Sequence, residues 1–280
     1  MKFSEMMLKE LENRFNFPVE IHYVDETTST NTVLKQMAAD GAKEGTVYLA
    51  ARQTQGRGRM GRSFFSPDGG LYFSMLFRPK MNPATSLLLT VAAAVAVAEA
   101  MDEVFDTQSK IKWVNDVYVN GKKVCGILAE SQLDPSKPTE QAVIVGIGIN
   151  VCAPKDGFPT EIENRAGALC ETNEAVSDQA VRLLAEIINR LYSFASVLSE
   201  KPFLTAYRNR SFLIGKTVSY KRGGTQQTAQ VTGIDEQARL VVLQNGQEIS
   251  LGAGEVQLMS IATEGINPHD QERNGGTQQD

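Results

Sequence analysis

Histidine, cysteine and tryptophan are scarce in this chain: two, three and one in 280 residues. The cysteines, Cys125, Cys152 and Cys170, form no C-x-x-C pair, and with so few histidines they supply no zinc-ligand spacing. They read instead as free, buried thiols of a reducing compartment. A long apolar run is missing too. The longest, LLLTVAAAVAVA at 87–98, falls short of the roughly 18 residues that suggest a spanning helix, and its alanines suit a buried core helix. The opening stretch, MKFSEMMLKELENRF, is amphipathic and charged, unlike a signal peptide. A cytoplasmic protein with no membrane partner is therefore expected. Excess positive charge is also absent, since 28 Lys and Arg stand against 33 Asp and Glu for a net charge of −5. A general nucleic-acid coat is basic overall, so any cationic surface here has to be local.

What is present, 42% hydrophobic and 22% charged residues, is ordinary for a soluble globular protein, and the length suits one large domain or a main domain plus a small one. An amphipathic helix is expected over 4–16, a strand over 18–24, and a helix from Ser29, a candidate N-cap, to a stop at Gly41. Strands at 45–52 and 70–79 flank a loop rich in glycine and arginine, and Pro83 opens a helix running to about Phe105. Within 110–131 two short strands surround an Asn120-Gly121 hairpin turn, and 140–151 is a strand whose composition suits burial on both faces. Helices follow at 177–198 and 202–210. From Lys216 the pattern changes to five short strands with tight turns, that of a small β-barrel. The expected fold class is α+β, with domains at 1–214 and 215–260 and a polar, disordered tail at 261–280.

The loop itself, GRGRMGR at 56–62, matches G-x-G-x-x-G. The dinucleotide-binding reading of that pattern needs a helix after the glycines. RSFFSPDGG follows instead, with Pro67 and a glycine pair, and then a strand. A Walker loop fails because no G-K-[ST] follows. The residues still suit an anion. Arg52, Arg57, Arg59 and Arg62 crowd into eleven residues of an acidic protein, guanidiniums grip phosphate bidentately, and glycines let backbone approach a ligand. Such a loop is expected to be mobile when empty and ordered by an anion. A solvated hairpin and a nucleic-acid contact remain as alternatives, the latter without a basic face or stacking platform elsewhere.

Three segments, QTQGRGRMGRSFFSP (53–67), KWVNDVYVNGKKVCGILAE (112–130) and VGIGIN (145–150), stand in the order and approximate spacing of one family. They resemble the adenylate loop, the K-W-P-N-D segment with its downstream K-x-x-G-I, and the G-x-G-I-N strand of biotin–protein ligases. STN at 29–31 resembles that family's early biotin-contacting segment, and 216–259 looks like its SH3-like C-terminal domain. The resemblance spans roughly 19–259. It implies a mixed β-sheet catalytic domain of the biotin/lipoate ligase type with a small SH3-like β-barrel. It also implies a two-step reaction. Biotin and ATP give biotinyl-5′-adenylate and pyrophosphate, with Mg²⁺, and a lysine of a biotin carboxyl carrier domain then takes the biotinyl group. No particular metal ligands are indicated, and the chain is expected to be a monomer or a homodimer.

Carried over residue by residue, the resemblance makes Lys123 the essential lysine that brings biotin's carboxylate and the α-phosphate together, with Lys122 as its solvated neighbour. Asp116 matches the acidic residue near the acceptor amine; a turn-forming role for it stays open. Biotin contacts are expected from Ser29, Thr30, Asn31, Gln53, Arg57, Gly58, Arg59, Lys123, Gly126 and Leu128, inside an apolar slot. Ser29 also suits an N-cap. Arg57, Arg59 and Arg62 are expected to neutralise phosphate, with Phe64 packing on the ligand and Asn115 and Asn150 reading the adenine edge. Core packing beside Phe65 stays open for Phe64, and Trp113 reads either as core or as part of the site's lining. Val114 departs from the family's proline and loosens that turn. The first strand near residue 19 leaves no room for the winged helix–turn–helix of DNA-binding members, so no DNA contact is expected. A lipoate or octanoate ligase of the same fold, and a non-catalytic anion- or nucleic-acid-binding module, are the alternatives.

Overall fold

The computed structural model describes residues 1–79, 85–134, 137–171, 177–253 and 256–261. Pro83 and the tail beyond Ile261 lie outside these residues. The chain divides into two compact units, 1–212 with 236–238, and 213–235 with the described residues from 239 on.

In the first unit a seven-stranded mixed sheet has the order β1-β2-β3-β7-β6-β5-β4. Its strands are β1 (Glu20–Thr27), β2 (Thr46–Gln53), β3 (Leu71–Phe77), β4 (Lys110–Lys112), β5 (Asp116–Val119), β6 (Lys122–Asp134) and β7 (Lys137–Ile149). Only β1 and β2 pair in parallel. Strand periodicity then sorts the residues. Ser74, Gly146 and Leu128 align across β3, β7 and β6, and so do Tyr72, Gly148 and Gly126, with Asp116 next to Gly126 on β5. The alternate residues Phe73, Met75, Val145, Ile147, Cys125 and Ile127 form a fully apolar, buried face. One face is core. The other carries polar groups and glycines.

Helix α2 (Thr30–Ala39) packs on the polar face through Leu34 and Ala38, which meet Leu76 and Ile144. Helix α3 (Thr85–Phe105) lies against β4–β7 and against α5 (Ser177–Ser196). Its run from Leu89 to Ala98 is buried, apart from a small exposure at Thr90, as its alanines imply. Helix α1 (Glu5–Glu12) stops earlier than its amphipathic pattern suggests. The reason is tertiary: Asn189 of α5 donates to the Arg14 carbonyl and accepts from the Asn16 amide, which fixes the chain there. Two short helices, α4 (Thr160–Glu163) and α6 (Leu204–Arg210), complete the unit. The expected hairpin is present, with Asn120 at φ 49° and Gly121 at φ 73°, the positive pair a type I′ turn requires. Its second strand, β6, runs to Asp134, beyond the short strand expected.

The second unit is a five-stranded antiparallel sheet of order β11-β10-β9-β8-β12, comprising β8 (Thr217–Arg222), β9 (Thr225–Ile234), β10 (Leu240–Gln244), β11 (Gln247–Leu251) and β12 (Val256–Ile261). Val218, Tyr220, Val231, Leu240, Val242 and Leu251 alternate inward to form its core. Strands β11 and β12 are its edges, and no pairing closes them among the described residues.

Candidate active site

The polar face of the sheet holds a narrow cleft. Gly126, Gly146 and Gly148 form its floor, Ser29, Thr30 and Asn31 of the α2 entrance one wall, and Arg57 and Phe64 of the arginine loop the other. The G-x-G spacing of β7 now has a physical cause. Period two puts Gly146 and Gly148 on the same face, where any side chain would collide: a Cβ at Gly146 would stand 2.0 Å from Asn31 Oδ1, and one at Gly148 2.6 Å from the Phe64 ring. Phe64 lies across Gly126 and Gly148 and meets Tyr72 edge-on at 6.4 Å, while Phe65 turns to solvent. The two phenylalanines do not pack together as a core pair.

At one end of the cleft a closed polar network links the walls. The Gln53 carboxamide accepts from the Thr30 amide at 2.8 Å and donates to Ser66 Oγ at 2.9 Å. Ser74 Oγ lies 2.8 Å from Thr30 Oγ1 and 2.6 Å from Asn31 Oδ1, so its single proton serves one at a time. Asn31 Nδ2 donates to the Leu128 carbonyl at 3.1 Å and to Glu130 Oε2 at 2.9 Å. Glu130 in turn faces both terminal nitrogens of Arg57, at 3.3 and 3.1 Å. Ser29 takes the N-cap position, yet its hydroxyl makes no cap bond, so the buried side chain faces the cleft.

At the other end cations gather. Lys123 Nζ donates to Asp116 Oδ1 at 2.6 Å and stands 5.9 Å from the Phe64 ring centre. Arg59 donates to Asn115 Oδ1 at 3.2 Å, and burial, opposed by Asp116, lowers its pKa. Lys112 is lowered as well, first by burial and then by Lys123, Arg62 and Arg165, against the pull of Asp116. Thus Asp116 is the carboxylate that acts on Arg59, Lys112 and Lys123, while Arg62 and Arg165 add positive charge close to Lys112. The W-V-N-D turn that presents them is anchored on several sides. Trp113 Nε1 donates to Ala238 O, Tyr207 Oη to Val114 O, and Asn115 exchanges two bonds with Ile127. The Trp113–Val114 peptide is cis. The turn is not loose despite Val114, and Trp113 is core.

In the loop, Gly58 N donates to Arg62 O at 2.7 Å and Phe64 N to Gly56 O at 2.8 Å, so the arginines ride on a hairpin with Met60 and Gly61 at its tip. No helix follows the glycines, only one 3₁₀ turn at Arg59–Gly61 and then extended chain into β3. One expectation changes. Lys122 is not simply solvated, because its ammonium also donates to the carbonyls of Glu163 and Asn164 at 3.2 and 2.8 Å. The Asn115 carboxamide bonds Arg59 and Ile127, and one N–H of the Asn150 carboxamide donates to the Gly167 carbonyl at 2.9 Å. Three contributors were missed. Lys112 and Glu130 open and close the segment 112–130 and so carried a visible signal, whereas Arg165 had none.

A second, more open depression of about 430 Å³ lies among α3, β4 and α6. Its principal charges, Asp102 and Arg210, pair with each other, and no sequence motif falls there. Among the described residues, no group of three or more His, Cys, Asp or Glu could hold a metal, and no helix is long and apolar enough to cross a membrane. The cysteines are free thiols; Cys152 and Cys170 Sγ lie 2.9 Å apart, and burial pushes Cys152 up to about 12.

Residues 23–150 match the Biotin/lipoate A/B protein ligase family. The chain is 38% identical over 179 residues to the bifunctional ligase/repressor BirA of Bacillus spizizenii, spanning 62% of this chain and 54% of that protein. It therefore covers about half the length of that relative. It is 32% identical to the biotin–[acetyl-CoA-carboxylase] ligase of Mycobacterium tuberculosis, over 85% of this chain and 88% of the relative. The solved biotin protein ligase from Aquifex aeolicus, in complex with biotin and ATP, superposes with a TM-score of 0.70 at 31% identity, covering 86% of this chain and 98% of that one. With its motifs placed on one sheet face and a relative of this identity and coverage, the chain belongs to the biotin/lipoate A/B protein ligase family.

Proposed function

We propose that this chain is an ATP-dependent biotin–protein ligase. The observation that carries the reading is the junction of two unlike regions at Phe64: a glycine-floored slot ringed by paired polar groups and, beside it, a group of cations in which Arg59, Lys112 and Lys123 share Asp116. A neutral ureido ring suits the first, with hydrogen bonds to replace those it loses from water. A triphosphate suits the second. Lys123, between Phe64 and Asp116, sits where a carboxylate leaving the slot would meet an α-phosphate.

In the first step a carboxylate oxygen of biotin attacks the α-phosphorus, the bond to the bridging oxygen breaks, and pyrophosphate leaves with that electron pair. Lys123 and Arg59 offset the charge brought together, and Arg62 with Lys112 draws on the departing phosphates. In the second step an acceptor lysine's amine attacks the acyl carbon, AMP leaves, and Asp116 is placed to take the amine's proton. The loop carrying Arg57 to Phe64 covers the mixed anhydride and keeps water off it. Mg²⁺ would arrive on the phosphates, where it supplies charge neutralisation; Asp116, the carboxylate amid the cations, fits at most a single protein ligand of such an ion.

The proposed acceptor is a biotin carboxyl carrier domain, without DNA, in the ATP-containing cytoplasm, and the chain acts as monomer or homodimer, which sedimentation would decide. The test is exchange of labelled pyrophosphate into ATP, then a streptavidin blot after incubation with biotin, MgATP and a carrier domain. Biotin-dependent exchange is expected. Exchange driven by lipoate or octanoate in place of biotin, or none with any of them, would overturn the assignment.

A further inference from the structure

Glu130 lies on β6 two residues beyond Leu128, so strand alternation brings it to the cleft face with Gly126 and Leu128. Its carboxylate is largely enclosed, with 18% of the side chain exposed, while Arg57 opposite it is 47% exposed. Oε2 accepts from Asn31 Nδ2 at 2.9 Å and from Arg57 at 3.3 Å; Oε1 faces the other Arg57 nitrogen at 3.1 Å. A mostly enclosed carboxylate calls for such partners. The contact also sets the Asn31 amide. Flipped, Asn31 would turn its oxygen toward both the Leu128 carbonyl and the Glu130 carboxylate, and its amide would lose both acceptors.

From Asn31 the network runs through Ser74, Thr30 and Gln53 to Ser66, which donates to the Phe64 carbonyl at 3.0 Å. Both legs of the arginine loop, at Arg57 and at Phe64–Ser66, are thereby tied to one polar circuit. Resting on the ligase reading, we propose that Glu130 is a positioning residue: it latches Arg57 at the ring-binding end of the cleft, so that of the three loop arginines only Arg59 and Arg62 serve phosphate. Arg57 is already neutralised by a fork-to-fork pair with Glu130.

Glu130→Gln separates this role from a purely structural one, because it keeps the volume and an acceptor for Asn31 while removing the charge that holds Arg57. In biotin-dependent exchange the variant is expected to raise KM for biotin by roughly tenfold, with KM for ATP changed less than about twofold. Arg57→Gln is expected to do the same, and the double variant to be no worse than either, since both remove one interaction. Equal rises in both KM values, or additive single effects, would overturn the proposal. A second readout needs no activity. Limited trypsin cleavage at Arg57–Arg62 in ligand-free protein is expected to speed up in Glu130→Gln, with an unchanged melting temperature confirming the fold; cleavage at the wild-type rate overturns the latch. Should Glu130→Gln fail to fold, Arg57→Gln reads the same latch from its exposed partner. Wild-type protein without biotin-dependent exchange would sink the ligase reading alone, because the cleavage assay stands apart from it.

Discussion

The two ends of the cleft answer water differently. At one end the polar groups are mostly paired: Gln53 with Thr30 and Ser66, Asn31 with Leu128 and Glu130, Glu130 with Arg57. At the cationic end Arg59, Lys112 and Lys123 share Asp116, with Arg62 and Arg165 close by, and burial lowers the pKa of both Arg59 and Lys112. A paired end recognises shape, since a ligand gains there only by fitting and exchanging hydrogen bonds. An end with excess charge stores an electrostatic cost that an anion relieves. The two therefore fail in different ways when disturbed.

The largest effect is expected at the charged end. Lys123→Ala removes the cation that meets both Phe64 and Asp116, and biotin-dependent pyrophosphate exchange is expected to fall by roughly 10³-fold, with thermal melting little changed. Near-normal exchange would remove Lys123 from the reaction. At the paired end the sharpest break is Gly146→Ala. Its Cβ would lie 2.0 Å from Asn31 Oδ1, so Asn31 must leave its place in the network. We expect a stability loss of about 1–3 kcal/mol by denaturant unfolding, and in the folded fraction a rise in the Kd for biotin without a matching rise for ATP. If ATP affinity fell equally, the two ends would not be separate recognition sites.

Much of this was legible in the sequence because it depends on local rules. Period two in V-G-I-G-I-N puts both glycines on one face, and Asn120-Gly121 requires a type I′ hairpin. The extended chain after Gly61 followed from Pro67 and the glycine pair. What was hidden depends on distant partners. Lys122 looks solvated until Glu163 and Asn164, some forty residues on, present their carbonyls. Glu130 reads as any polar residue near a strand's end, since nothing near it in sequence names Arg57 or Asn31 as its neighbours. Phe64 and Phe65 have the same chemistry, and only the sheet decides that the first faces the glycines. Arg165 is placed by pairing: its carbonyl accepts from Lys123 N at 2.7 Å, a bond made after a loop that carries no motif.

The smallest expected effect sharpens the charged end most finely. Lys112 is held below the ordinary lysine range by burial first and by neighbouring Lys123, Arg62 and Arg165 next. Bound polyphosphate favours its protonated form, so this contribution to ATP affinity is complete below the lowered pKa and fades as pH rises through it. KM for ATP is therefore expected to rise a few-fold on the alkaline side while KM for biotin does not follow. Lys112→Arg keeps its charge across that range. Arginine and lysine place their donors differently, so the absolute KM of the variant is not informative; the shape of its pH profile is. A flat alkaline limb in Lys112→Arg beside a rising one in wild type would assign the pH dependence to this one ammonium. Superimposable profiles would mean that the phosphates never sense Lys112, and the cationic cluster would then be smaller than its electrostatics imply.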